Sequence, residues 1–170
     1  MSDNDIDMIS NNFVEQHWQK PREVLERYFK RQNKGELHIL IAEYDNDVAG
    51  YTVLYPEASN GPFANKGIPE ISDFIVFMKY QGKGIGNKIL DTAEKKASQI
   101  SDRVSLAVGM RHGYGAAQRI YVKRGYVPDG SGVWYNNILL AEYADCKNDD
   151  DLVLFLCKEF ISQFNADHKL

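Results

Sequence analysis

The sequence is short of cysteine and of long apolar runs, and each shortage excludes a class of protein. Two cysteines, Cys146 and Cys157, occur in 170 residues, too few for the disulfide framework of a small secreted domain. We therefore expect a reduced, cytoplasmic location. No apolar stretch reaches the roughly 18 residues of a membrane-spanning helix, and the opening MSDNDIDMIS is acidic, unlike a signal peptide. We expect no membrane partner.

Basic clusters are also lacking. The net charge is -4 at pH 7, and no basic block exceeds a few residues, so the chain offers little to a nucleic-acid backbone and we expect no such partner. His38 and His112 lie far apart without the spacing of metal ligands, so we expect no metal. The apolar content of 44% is that of an ordinary globular protein, and the length predicts a single domain over residues 1–170.

Alternating helical and strand-like patterns predict an α/β domain with a mixed sheet. Helical spacing covers four segments: the region around Ile6, Ile9 and Phe13, then 21–35, 85–100 and 114–125. Strand-like runs cover 37–55, 70–78, 102–110, 132–143 and 151–160. The first of these runs contains the turn residues Asp45, Asn46 and Asp47, which predict a hairpin. Pro21 suits a helix start, and Gly35 and Gly125 suit helix ends.

The segment YQGKGIGNKI at 80–89 stands between an apolar strand-like run and a helical pattern. Its glycines would let the backbone approach a ligand or take positive φ. Free amides and the dipole at a helix start favour an anion such as phosphate, and Lys83 adds a positive charge. A tight turn without a ligand would explain the glycines equally well. The Walker spacing is absent, and Asn87 occupies the third glycine position of the dinucleotide fingerprint.

Two motifs together resemble the GCN5-related N-acetyltransferase (GNAT) family. QGKGIG resembles the family's pyrophosphate loop R/Q-x-x-G-x-G/A, with matches at Gln81, Gly84 and Gly86. AAQRIYVKRGY resembles the family segment A-x-x-x-Y-x-k-x-G-F/Y, with matches at Ala117, Tyr121, Gly125 and Tyr126. The resemblance implies a GNAT-like acyl-CoA N-acyltransferase fold. That fold is a mixed, mostly antiparallel sheet, splayed at its centre, with flanking helices.

The resemblance also implies acetyl-CoA as cosubstrate. Amides of residues 82–86 would hold its pyrophosphate. The segment from Ile75 to Met78 would pair with the pantetheine arm as with another strand, at a splay opened by a bulge. Tyr114 departs from the family's usual asparagine at the position of a polar contact to that arm. The predicted cofactor-binding residues are Ile75, Val76, Met78, Gln81, Gly82, Lys83, Gly84, Ile85, Gly86, Tyr114 and Ala117.

Acetyl transfer needs an acid for the departing thiolate, a donor to the oxyanion and a route for the amine's proton. Tyr121 is the predicted acid, and a strand amide near Val76 the oxyanion donor. Glu70 and Asp73 are the candidate bases. They stand three residues apart, which in a regular strand places them on opposite faces. A water relay, or no base at all, stays open, and either carboxylate could instead bind the substrate's ammonium.

The favoured function is therefore an N-acetyltransferase that moves the acetyl group of acetyl-CoA to a primary amine by direct attack in a ternary complex. A non-catalytic acyl-CoA-binding module is the alternative, and a nucleotide-binding protein is a more distant one that leaves the tyrosine segment without a role. The acceptor is a small-molecule or peptide amine, and a homodimer stays open.

Overall fold

A computed structural model describes residues 1–160 as an α/β structure whose strands form a seven-stranded, mostly antiparallel sheet with flanking helices. This confirms the predicted fold class. The helices are α1 (Asp3–Glu15), α2 (Arg22–Asn33), α3 (Ile85–Ala97) and α4 (Gly115–Lys123). The strands are β1 (His38–Tyr44), β2 (Asp47–Tyr55), β3 (Glu70–Val76), β4 (Arg103–Gly109), β5 (Val127–Tyr135), β6 (Ile138–Leu139) and β7 (Leu152–Glu159).

The chain divides into two compact units. The first unit comprises Met1–Pro56 and Ile71–Lys96, and the second comprises Glu57–Glu70 and the residues from Ala97 onward. The prediction of one domain extends over residues 161–170, outside the described residues, and stays a prediction. Among residues 1–160, no helix combines the length and apolarity that crossing a membrane requires.

The first unit contains the predicted hairpin. β1 and β2 pair antiparallel across Asp45 and Asn46, whose φ angles are 50° and 62°. Positive φ at both central residues is the signature of the two-residue turn that best matches strand twist. The hairpin prediction is confirmed, with Asp47 as the first residue of β2 instead of a turn residue.

The end of β3 packs against apolar residues on both of its faces. Ile75 packs against a buried cluster built from α1, α2, β1 and β2, whereas Phe74 and Val76 pack against Ala49 of β2 and the start of α3. Close approach of β2 to β3 requires Gly50, because a Cβ there would lie 2.5 Å from the carbonyl oxygen of Ile75. The first unit is thus a helix-covered sheet on which β3 runs straight into the glycine turn.

β3 ends two residues earlier than the sequence predicts. Phe77 turns into the core and is 1% exposed, and Met78–Tyr80 form a short 3₁₀ turn. The N–H of Met78 donates to Oε1 of Gln16 at 3.0 Å. The prediction that the strand extends to Met78 is therefore wrong, whereas a contact of Met78 with the pantetheine arm stays a prediction.

The second unit orders its strands β4-β7-β5-β6, and each of its described pairs is antiparallel. The prediction of one strand over 132–143 is wrong. Asn136 and Asn137 have φ of 52° and 61° and turn β5 back into β6, since asparagine tolerates the left-handed region better than most residues. α4 ends as predicted, with Gly125 at φ 87°.

Candidate active site

The glycine turn has the backbone conformation that the sequence predicts. Gly82 and Gly84 have φ of 76° and 78°, values that strain any residue with a Cβ. Apart from the glycine itself and its chain neighbours, no atom of residues 1–160 lies within 4 Å of the place where a Cβ would stand at either residue. Glycine is thus required by the backbone angles and not by neighbouring protein atoms, so the turn leaves room for a ligand.

The amides of this turn are available. Within the described part of the chain, the N–H groups of residues 82–86 donate to no backbone carbonyl. The first such bond in the new helix runs from the N–H of Lys88 to the carbonyl of Gly84, at 3.3 Å. Free amides at the start of a 13-residue helix, together with the helix dipole, favour a phosphate group. The residues therefore fit the pyrophosphate of acetyl-CoA.

Asp47 fixes the approach to the turn. Its carboxylate accepts hydrogen bonds from the Tyr80 hydroxyl at 2.7 Å and from the Asn12 amide at 3.1 Å, and it pairs with Lys79 at 3.0 Å. Burial opposes its charge, but the bonds from Tyr80, Lys79 and Asn12 outweigh it and lower the pKa of Asp47. The Asp47 carboxylate at the start of β2 thus holds Lys79 and Tyr80, which directly precede the glycine turn.

Two predicted cofactor-binding side chains already have partners within the first unit. Gln81 donates from Nε2 to the carbonyl of Val76 at 3.0 Å and closes the turn after β3. The ammonium of Lys83 lies 4.2 Å from the ring centroid of Tyr44 and 5.5 Å from that of Tyr80. The candidates from Ile75 to Gly86 therefore form one continuous, internally braced segment.

Glu70 has the electrostatic character of a base that works near neutral pH. It begins β3 and is half-buried, and burial raises its pKa to about 7. No ion pair or side-chain hydrogen bond of Glu70 occurs among residues 1–160. A carboxylate with this pKa can both accept and release a proton at neutral pH.

Asp73 is a different kind of group. Its φ is 49°, so the pleat is irregular there, and the inference from regular strand geometry that Asp73 and Glu70 face opposite sides stays a prediction. The carboxylate of Asp73 binds the ammonium of Lys20 and accepts a hydrogen bond from the Tyr51 hydroxyl at 2.9 Å. Lys20 was not predicted, and no local pattern could have indicated it, because it lies 53 residues from Asp73.

Ala117 and Tyr121 stand four residues apart on one face of α4, and Tyr114 is the residue that caps the start of this helix. Tyr121 is 5% exposed, and its ring lies 5.7 Å from that of Tyr126. Burial, and then the proximity of Tyr114, raise the pKa of Tyr121. Its phenol therefore stays protonated at neutral pH, as a proton donor must.

Tyr114 is fixed by polar contacts. Its hydroxyl donates to Asp150 at 3.0 Å, and Arg111 donates to the same carboxylate oxygen at 2.6 Å. Gln118, which the sequence did not single out, donates to the carbonyl of Gly109 at 2.8 Å and ties α4 to the end of β4.

In residues 1–160, no group of three or more His, Cys, Asp or Glu side chains could hold a metal ion.

Comparisons with known proteins identify the family of the chain. Residues 2–144 match the family model of the acetyltransferase (GNAT) domain. The uncharacterized N-acetyltransferase YhfO of Bacillus subtilis is 31% identical over 105 residues, which cover 62% of this chain and 68% of the relative.

Two solved structures share the fold. A GNAT family acetyltransferase from Elizabethkingia anophelis, solved with acetyl-CoA bound, has a TM-score of 0.56 at 19% identity and matches over 82% of this chain and 84% of its own. The ribosomal-protein-S18-alanine N-acetyltransferase from Escherichia coli has a TM-score of 0.65 at 11% identity, over 97% and 94%.

Proposed function

Because the chain belongs to the GNAT family of acetyltransferases and is an acetyl-CoA-dependent acyltransferase, we propose that it acetylates a primary amine by direct attack in a ternary complex. The observation that carries the proposal is the glycine turn. Gly82 and Gly84 hold positive φ with open space around them, and the amides of 82–86 are free to bind an anion. This arrangement suits the pyrophosphate of acetyl-CoA.

In this proposal the segment before the turn also takes part in binding. Ile75 and Val76, at the end of β3, pair with the pantetheine arm, and the splay of the sheet that this pairing needs is part of the proposal. Gln81 holds the turn closed, and Lys83 supplies a positive charge beside it. Tyr114 and Ala117 are the proposed cofactor-binding residues at and near the start of α4. Bound acetyl-CoA supplies an acetyl group already activated as a thioester.

Glu70 is the proposed base, and the observation that supports it over Asp73 is electrostatic. A pKa of about 7 matches the working pH of a general base. The carboxylate of Asp73 is instead engaged by Lys20 and Tyr51, so it is less available for an incoming proton. Glu70 removes a proton from the ammonium group of the acceptor, directly or through water, and the resulting neutral amine attacks the thioester carbonyl.

Tyr121 is the proposed acid. Its raised pKa keeps the phenol protonated until charge develops on the sulfur of the departing CoA, when the proton is transferred. A backbone N–H near Val76 is proposed to stabilise the oxyanion.

We also infer that the chain is one domain, that it is located in the cytoplasm, and that its acceptor is a small-molecule or peptide amine.

The test of the function combines a binding titration with an amine panel. Acetyl-CoA should raise the melting temperature, because a ligand of the native state stabilises it, and it should bind more tightly than ATP, which lacks a pantetheine arm. Thiol release should appear with at least one primary amine. Binding of acetyl-CoA without thiol release from any amine would favour a binding module, and ATP binding as tight as acetyl-CoA would favour a nucleotide-binding protein.

A further inference from the structure

Lys20 places its ammonium in a cage of the first unit. The ammonium pairs with the carboxylate of Asp73 and lies 5.8 Å from the ring centroids of Phe13, Tyr28 and Tyr51. The side chains of Lys20 and Asp73 are 16% and 14% exposed, so the pair is largely shielded from water. We call the four residues Phe13, Tyr28, Tyr51 and Asp73 the ammonium cage.

The cage keeps its anion in place independently of Lys20. Tyr51 is fully buried and donates its hydroxyl to Asp73 at 2.9 Å. Burial, and then Asp73 itself, raise the pKa of Tyr51, so the hydroxyl remains a donor. Asp73 also holds a φ of 49° within a strand, a conformation that is uncommon for residues other than glycine and that clusters at functional sites. Removing Lys20 would leave a fixed carboxylate beside three rings.

Aromatic rings combined with a carboxylate form the chemistry that recognises an ammonium group. The present occupant is a –CH₂–NH₃⁺ group at the end of an unbranched alkyl chain. A ligand that replaces it should be of the same kind, namely a primary alkylammonium.

The segment that carries Lys20 lies outside the sheet. Residues 16–21 connect α1 to α2 and belong to neither a strand nor a helix, and Trp18 in this connection is 44% exposed. Asp73, by contrast, stands in β3 two residues before Ile75, where the proposed pantetheine-pairing segment begins. Asp73 thus lies on β3, the strand that leads to the proposed cofactor-binding segment. Lys20 lies on the connection between α1 and α2.

We propose that the ammonium cage is the subsite for the ammonium group of the acceptor amine, and that Lys20 is an internal ligand that the acceptor replaces. The proposal rests on the proposed function and names its substrate class: primary alkylamines, whether free small molecules or lysine side chains of peptides. Asp73 and the rings bind the acceptor as its ammonium, and the proposed base Glu70, not Asp73, takes the proton before the nitrogen attacks.

The test measures binding without turnover, using n-butylammonium as the probe. Lys20→Ala empties the cage and should bind the probe on the order of tenfold more tightly than the wild type, whose own lysine competes. Adding Asp73→Asn should abolish the gain, and asparagine tolerates positive φ, so the backbone need not change. n-Butanol, a neutral analogue of similar size, should not bind. If Lys20→Ala does not fold, Lys20→Val takes its place, because valine keeps some apolar contact and is too short to reach Asp73.

Equal affinity of wild type and Lys20→Ala, or full affinity when Asp73→Asn is added, would overturn the subsite. Steady-state acetylation is then measured with n-butylamine and with a lysine-containing peptide as acceptors. Asp73→Asn should raise the KM for the acceptor more than it lowers kcat. A protein that binds n-butylammonium in the cage but acetylates no amine would refute the proposed function and leave the ammonium subsite standing. Acetylation with KM unchanged by Asp73→Asn would refute the subsite and leave the function.

Discussion

The ring of Tyr114 lies so close to Gly109 that a Cβ on residue 109 would come within 2.4 Å of it. Gly109 ends β4, and Tyr114 stands at the N-terminus of α4. Because Gly109 has no side chain, the ring of Tyr114 can pack directly against its backbone. This contact joins the end of β4 to the start of α4, the helix that carries Tyr121.

Gly109→Ala should destabilise the protein by about 1–3 kcal/mol, the usual cost of overpacking a close contact. Tyr114→Ala removes the ring, so the double variant should lose less stability than the two single variants added together. Urea unfolding of the four proteins measures the difference. Additive losses, within about 0.5 kcal/mol, would show that the ring moves away at little cost.

Gly84→Val should abolish the rise in melting temperature that CoA produces, because the side chain occupies space that the pyrophosphate needs and strains the φ of 78°. Gly35→Val is a matched control. Gly35 has a φ of 74° and equally open surroundings, but it ends α2, away from the glycine turn along the chain. Both variants should lose similar stability, and only Gly84→Val should lose the response to CoA. A CoA shift retained in Gly84→Val would contradict the loop assignment.

Glu70 should make the folded state less stable as the pH rises. Its folded-state pKa of about 7 exceeds the unfolded value of roughly 4.3. The stabilisation is therefore complete below the unfolded value and is lost as pH rises through 7, by up to about 3 kcal/mol. Glu70→Gln, which stays neutral, should flatten the unfolding free energy between these pH values. Exposed Glu142→Gln should follow the wild-type profile, and an unchanged profile in Glu70→Gln would contradict the raised pKa.

The same group should appear in the pH dependence of activity. If Glu70 is the base, kcat/KM should rise as the pH passes about 7, and Glu70→Gln should lower it by roughly 10²–10⁴-fold and remove that rise. Steady-state thiol release across the pH range measures both effects. A rise that persists in Glu70→Gln would assign the ionisation to the amine or to another residue.

Tyr121→Phe keeps the buried ring and removes the proton donor. Turnover should fall by roughly 10²–10⁴-fold, whereas acetyl-CoA affinity should change little, because the phenol matters once charge develops on sulfur. Thiol release and a binding titration on the same variant separate the two quantities. Tyr126→Phe is the neighbouring control and should retain activity. Full activity in Tyr121→Phe would remove this tyrosine from the mechanism.

The sequence predicts the local elements of this fold well because their signals are local. The Asp45–Asn46 turn, the end of α2 at Gly35 and the positive φ of Gly82 and Gly84 all follow from residue types at short spacing. The pair Asn136–Asn137 also carried a turn signal, but the apolar residues on both sides resembled one continuous strand.

In the candidate site, too, features that depend on short motifs can be predicted, and contacts between distant residues cannot. The glycine turn and Tyr121 stand in short motifs, so they can be found from the sequence. The partners of Asp73 cannot, because Lys20, Tyr28 and Tyr51 reach it only after α1, α2 and β2 have packed together. The irregular backbone at Asp73 is equally hidden, since aspartate is common in regular structure and its φ depends on the surrounding sheet.

The position of β7 has a consequence for synthesis of the chain. β7 pairs with β4 on one side and with β5 on the other, yet both partners precede it in the sequence. While residues 152–159 are still inside the ribosome, β4 and β5 each present an unpaired strand edge, the kind of edge that templates association with other chains. The nascent second unit is therefore exposed to aggregation until β7 emerges, and a stop codon shortly before Leu152 would make that exposure permanent.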